Sequence, residues 1–206
     1  MDRLEQLRQV IDDIVRNNPD KVESRCGFVH LYGVSATCTI LALRRGLDLE
    51  LCSAAGMLHD IWNYKIGDTP EHGQLGAGEA REILTELASF SPGEIKVICH
   101  AIAQHTDKES IDSDIDELLK DADVFQHYLY NPSLFKVPAS PGSVSQPMRV
   151  QRLKRVLAEL GLEYPRQGTE FHLVDLPGIC GSSPVDCYFF WHLASRSNLS
   201  NHIPSI

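Results

Sequence analysis

Through the first two thirds of the chain, apolar residues recur at intervals of three and four rather than two. Leu4, Leu7, Val10, Ile11, Ile14 and Val15 fall on one face of a helix that Asn18 and Pro19 stop. A second helix is predicted over 22–45, ended by Gly46, with Gly33, Ala36, Ile40 and Leu43 marking part of its buried face and His30 just ahead of them. Asp48 caps a third helix that closes on His59-Asp60, and residues 62–70 read as a loop. Glu71 or His72 opens a fourth helix through Leu75, Ala80, Ile83, Leu84 and Leu87. Ser91, Pro92 and Glu94 form a strong helix start, with serine as cap, proline at the first helical position and glutamate completing a capping box. That fifth helix carries Ile95, Ile98, Ala101 and Ile102, with His105 near its end. Ser113 or Asp114 begins a sixth, with Leu118, Leu119, Ala122, Phe125 and Leu129, and Asn131-Pro132 ends it. Nothing here alternates with period two, so the expected fold class is all-α.

After Pro132 the character changes. Residues 137–143 (Val-Pro-Ala-Ser-Pro-Gly-Ser) read as a linker or ordered loop. A basic amphipathic helix follows over 148–160, with Val150, Leu153, Val156, Leu157 and Leu160 on one face and Gly161 after it. The final stretch has no clear period, yet Phe189-Phe190-Trp191 is too apolar for a disordered tail. The expected organisation is a helical domain over 1–132 and a less regular extension over 133–206, packed on the bundle.

A chain of 206 residues, 43% of them hydrophobic, is long enough to bury a sizeable core as one domain with an appendage. A formal charge of −9 argues against an unaided nucleic-acid binder, which would show a basic stripe. No segment is expected to reach the apolar length of a membrane span, and the charged N-terminus is unlike a signal peptide, so the expected localisation is cytoplasmic. The six cysteines (Cys26, Cys38, Cys52, Cys99, Cys180, Cys187) show no C-x-x-C spacing. Cys38, Cys52 and Cys99 sit in helical apolar stretches as small hydrophobes.

The candidate chemistry centres on His59-Asp60 at a helix end. His30 lies in the helix before it, and the two antiparallel helices return the chain to one level. Downstream, Asp121 and Asp123 lie on opposite shoulders of the sixth helix's apolar face, and periodicity does not choose between them. Two histidines and two aspartates from three helices suit a divalent transition metal (Fe, Mn, Ni, Co or Zn) with positions left open. Such an ion makes water a nucleophile at neutral pH. Trp62 and Tyr64 could stack a nucleobase or seal the core edge. His100 lies about 140° around its helix from His105, so the two do not share a face. His127, His172 and His192 have no supporting context.

The order His30, His59-Asp60, Asp123 resembles the H…HD…D pattern of the HD superfamily of metal-dependent phosphohydrolases. The segments 49–61, 71–77 and 101–106 are similar to further parts of that family's helices, and the likeness spans roughly 25–130. It implies an HD-domain helical bundle with His30, His59, Asp60 and Asp123 as metal ligands, Asp123 because the family's aspartate follows a small residue. Asp121 is then a fallback, or a partner that orients a histidine. The resemblance also implies that Asp60, Lys65, His72 and His105 serve catalysis, by contacting phosphate or, at His72/His105, by holding a second metal. Lys65 comes later after the HD pair than in the common family form.

The reading is therefore a phosphohydrolase acting on a small phosphorylated substrate, a nucleotide foremost, with neither nucleic acid nor membrane as partner and a homodimer left open. A single tightly held metal is expected, with His72 and His105 on the phosphate side. The alternatives are a di-iron oxygenase on the same scaffold and a non-catalytic nucleotide-sensing module.

Overall fold

A computed structural model describes residues 2–67, 69–130 and 145–164, with side chains in the last segment from 147 onward. The described residues form eight helices: α1 Arg3–Arg16, α2 Lys21–Arg45, α3 Leu49–Leu58, α4 Ile61–Lys65, α5 His72–Leu87, α6 Pro92–Gln104, α7 Asp114–Tyr130 and α8 Ser145–Glu159. Among the described residues there is no strand, and the fold is all-α. The described residues, α8 included, belong to one compact unit. Phe189, Phe190, Trp191, His172, His192, Cys180 and Cys187 lie outside the described residues, as does the expected linker over 137–143.

Side-chain caps set the helix starts. Asp2, Asp20 and Asp48 each accept backbone N–H bonds from the first turns of α1, α2 and α3. Ser91 and Glu94 form the capping box of α6. Gly46 ends α2 in the left-handed conformation, φ 68°.

The central helix departs from expectation in two ways. Its buried face carries Cys26, His30, Leu31, Val34, Cys38, Leu41 and Ala42. Gly33 is only half-buried, and Ala36, Ile40 (51% exposed) and Leu43 (65%) face outward. The helix is apolar nearly all round, so periodicity could not choose the stripe that its neighbours cover. For the same reason Lys21–Arg45 has the length and hydropathy (1.6) of a membrane span, contrary to expectation, although 56% of that window is buried among the other helices. Two smaller differences follow the local chain. Residues 62–65, expected as part of a loop, belong to the short α4, and Leu129 near the end of α7 is exposed.

α3 and α7 pack on α2, and α6 packs on α3, α5 and α7. The α2–α3 contact is unusually close. A Cβ built on Gly56 would lie 2.8 Å from Ser35 Cα and 2.9 Å from Ser35 N, and the hydroxyls of Ser35 and Ser53 meet at 2.8 Å. Backbone therefore touches backbone, which brings the end of α3 down to the level of His30. On the other side, Gly33 leaves room for the Gln126 side chain of α7, whose Cγ and Nε2 would both be 2.9 Å from a Cβ there.

α8 is fastened to the bundle by charge. The buried Arg152 donates from Nε to Lys108 O (2.9 Å) and pairs with Glu117 and Asp121 at 2.9 Å each. Asp121 also meets Arg45 at 2.8 Å and Arg155 at 2.7 Å. A buried charge survives when paired and hydrogen-bonded in this way. Cys26, Cys38, Cys52 and Cys99 are buried free thiols.

Candidate metal centre

Five helices and one loop deliver polar side chains to a single cluster. His30 comes from the middle of α2, His59 and Asp60 from the turn that ends α3, His72 from the start of α5, His105 from the end of α6, and Asp123 and His127 from α7. Between α6 and α7 the loop adds Lys108. Packing rather than local sequence joins them, because the α2–α3 approach at Gly56 and the α2–α7 approach at Gly33 fix the three helices that carry the core of the site.

Nε2 of His30 and Nε2 of His59 are 3.0 Å apart. Asp60 Oδ2 lies 3.3 Å from the first and 3.4 Å from the second, and Asp123 Oδ1 lies 3.7 and 3.9 Å from them. Donors bound to one transition ion at about 2.1 Å sit roughly 3.0–3.4 Å from their neighbours. The spacing fits one cation.

The ring orientations fit as well. His30 Nδ1 is 2.7 Å from Gln126 Oε1, His59 Nδ1 is 2.9 Å from Gly56 O, His72 Nδ1 is 2.8 Å from Thr69 O, and His105 Nδ1 is 2.6 Å from Ile102 O. A neutral imidazole has one N–H. With that proton donated from Nδ1 to an oxygen, each Nε2 turns a lone pair inward, the arrangement that orients metal-ligating histidines.

Asp60 has a second face. Its Oδ1 is buried and accepts no hydrogen bond, yet His105 Nε2 lies 3.2 Å and His72 Nε2 3.5 Å from it. A buried acceptor facing two more acceptors is costly, about 1–3 kcal/mol for the unmet oxygen alone. A cation there would satisfy all three. The donor atoms form three groups: His30 with His59 and Asp60, His30 with Asp123 and His127, and Asp60 with His72 and His105.

Charge is arranged around these donors. Burial would raise the Asp60 carboxyl, but the imidazoles around it, His59 foremost, outweigh burial and hold it well below the usual carboxylate range. At Asp123 burial is likewise outweighed, by Lys108 and then His127. Lys108 Nζ sits 2.7 Å from Asp123 Oδ2 and 2.6 Å from His105 O. Its own pKa is lowered, chiefly by burial. Burial also lowers His105, and brings His127 down to about 4, so both rings are neutral near pH 7. His59 goes the other way, because Asp60 outweighs burial. Arg149, half-buried on α8, adds a positive charge felt by Lys108, Asp123 and His127.

Of the residues expected from sequence, His30, His59, Asp60, Asp123, His72 and His105 all converge here. Lys65 does not join them. Its ammonium is bound to Glu79 at 2.6 Å on the outer side of α4 and is 41% exposed. Asp121 lies outside these donor groups, its carboxylate paired with three arginines. His100 faces Asp116 at 3.0 Å, away from the cluster. Tyr64 is buried with its ring against Gly27, in the core-sealing role, and its carbonyl accepts from Asn18.

Sequence reasoning missed Lys108, Gln126, Arg149 and His127. Gln126 and His127 lie three and four residues after Asp123, one turn along the same helix face, which is a signal that could have been read. Lys108 sits in a loop with no periodicity to betray it.

The family model described as HD domain matches residues 27–127. Among solved structures, a predicted HD superfamily hydrolase from an uncultured Thermotogales bacterium shares the fold with a TM-score of 0.52 and 21% sequence identity. The match covers 78% of this chain and 96% of that one. No curated protein sequence matches the chain significantly.

Proposed function

The chain carries an HD domain over residues 27–127, and on that premise we propose that it is a phosphohydrolase working with two divalent transition ions on a small phosphate ester or nucleotide. The observation that carries this reading is the placement of Asp60 between two pairs of imidazoles. Oδ2 faces His30 and His59, while Oδ1, buried and without a hydrogen bond, faces His72 and His105. A carboxylate with an imidazole pair facing each oxygen could serve two ions, and His72 and His105 would then be ligands rather than phosphate contacts.

Ions held there would supply Lewis acidity toward a phosphoryl oxygen and a water nucleophile at neutral pH. The chain's own residues do the rest. Asp60 and Asp123 remain ionised against their burial and bring negative charge to the cations. Lys108 holds Asp123 Oδ2 and leaves Oδ1 turned to His30 and His59. Gln126, Gly56 O, Thr69 O and Ile102 O keep each Nε2 aimed inward, so little reorganisation is needed on binding. Arg149 offers the anionic substrate a charge beside the site; a guanidinium can take a phosphate with two parallel hydrogen bonds.

The test is elemental analysis of protein purified without chelator, followed by stripping and reloading with Mn, Fe, Co, Ni or Zn against a panel of phosphomonoesters and nucleotides. About two ions per chain and metal-dependent phosphate release are expected. Failure to take up any of these ions would sink the reading. The same paired donor set favours one other reading, a di-iron oxygenase. Oxygen uptake by the Fe(II)-loaded protein, with no phosphate released by any loaded form, would put that reading first.

A further inference from the structure

We propose that His127 is a direct ligand of the same cation as His30, His59, Asp60 and Asp123, giving that ion five protein donors. The inference rests on the reading that the cluster holds metal. His127 stands one turn after Asp123 on α7, with Nε2 3.2 Å from Asp123 Oδ1 and its ring centroid 4.8 Å from that of His30. The donor atoms of His30, Asp123 and His127 all lie within 4.8 Å of one another, as do those of His30, His59 and Asp60.

The two groups share His30, and chemistry decides what the sharing means. An imidazole nitrogen has a single lone pair, so His30 Nε2 serves one ion, unlike a carboxylate with its two oxygens. Two groups that meet at one nitrogen therefore describe one ion rather than two. Asp60 is different, because its oxygens face separate imidazole pairs and permit a second ion. Donors on opposite sides of an ion with bonds of about 2.1 Å are roughly 4.2 Å apart, and within each of the two groups no donor pair exceeds 4.8 Å.

The consequence would be an unequal pair: His30, His59, Asp60, Asp123 and His127 would hold one ion, while Asp60, His72 and His105 would hold the other with fewer protein donors and leave it more accessible to substrate.

The alternative role for His127 is merely to hold Asp123. Loss of affinity cannot separate the two, because removing a residue that orients a ligand also costs 10–100-fold. Counting ligands can. In the Co(II)-loaded protein, each coordinated imidazole gives one strongly shifted, exchangeable ring N–H proton signal. The wild type should show one more such signal than His127→Gln at equal cobalt loading. The same number in both would overturn the assignment of His127 and leave the metal site standing. No cobalt uptake by the wild type would instead overturn the site itself. Should the variant fail to fold, histidine ¹⁵N spectra of the wild type decide. On Zn(II) addition the His127 Nε2 resonance should move to the coordinated range along with those of His30 and His59, and an unmoved His127 Nε2 would refute the proposal.

Discussion

Lys108 and Asp123 form a buried ion pair, Nζ to Oδ2 at 2.7 Å, between a loop and the middle of α7. The lysine has a second bond, to His105 O at 2.6 Å. One ammonium thus ties a residue from each half of the cluster. The pair also keeps Asp123 ionised despite its burial, since Lys108 leads the charges that offset it.

Lys108→Met should accordingly be costly in the metal-free protein. Removing one partner of a buried pair leaves the other charge uncompensated, typically at about 3–5 kcal/mol. In the loaded protein the cation neutralises Asp123, and the loss should be smaller. Urea titrations of both forms measure the difference. Equal destabilisation with and without metal would show that Lys108 stabilises the loop and not the carboxylate.

The bridging role of Asp60 gives a stoichiometric prediction. Asp60→Asn removes the charged oxygens facing both imidazole pairs and should abolish binding of both ions. His105→Ala should reduce the content from about two ions to about one and leave His30 and His59 loaded. Elemental analysis after gel filtration reads both. Two ions retained in His105→Ala would refute the second site.

Two cationic side chains separate by position. Lys65, 41% exposed, is engaged by the buried Glu79 and turned away from the cluster. Lys65→Ala should leave phosphate release and KM close to wild type. Arg149→Ala should raise KM at least about tenfold for phosphorylated substrates, the equivalent of one lost charged hydrogen bond of about 1.5–3 kcal/mol, with metal content unchanged. Steady-state kinetics on reloaded protein check both. A large KM change in Lys65→Ala alone would restore that residue to the phosphate site.

The helices were legible because their ends are chemical. Asp20, Asp48, Ser91 with Glu94, and Gly46 mark starts and stops by bonds that the sequence spells out locally. Which face of α2 lies inside was not legible. Leu31 and Val34 are buried and Ile40 and Leu43 exposed, although all four are equally apolar. That choice belongs to α3 and α7, which approach from sides no window of α2 can reveal. The site divides the same way. His30, His59, Asp60 and Asp123 stood out by order along the chain. Periodicity left Asp121 and Asp123 equal and only the family resemblance favoured Asp123; what holds Asp121 elsewhere is three arginines, two of them from α8. Lys108 needed the tertiary fold altogether.

The closest backbone contact yields the last prediction, in which one substitution has opposite signs at two positions. Gly56→Ala and Gly78→Ala both replace a helical glycine, and each gains up to about 1 kcal/mol of helix propensity. At Gly78 nothing lies within 4 Å of the new Cβ, so the gain should appear as added stability. At Gly56 the Cβ meets Ser35 Cα at 2.8 Å and Ser35 N at 2.9 Å, which are backbone atoms and cannot swing aside. Forcing α2 and α3 apart costs about 1–3 kcal/mol, so the net effect should be destabilising. The displacement also reaches the metal, because Gly56 O accepts from His59 Nδ1 at 2.9 Å and sets that ring's direction. Metal affinity should fall at least about tenfold in Gly56→Ala and stay unchanged in Gly78→Ala. Thermal unfolding and a competitive chelator titration measure the two effects. A Gly56→Ala protein with wild-type affinity would show that the α2–α3 approach does not govern the position of His59.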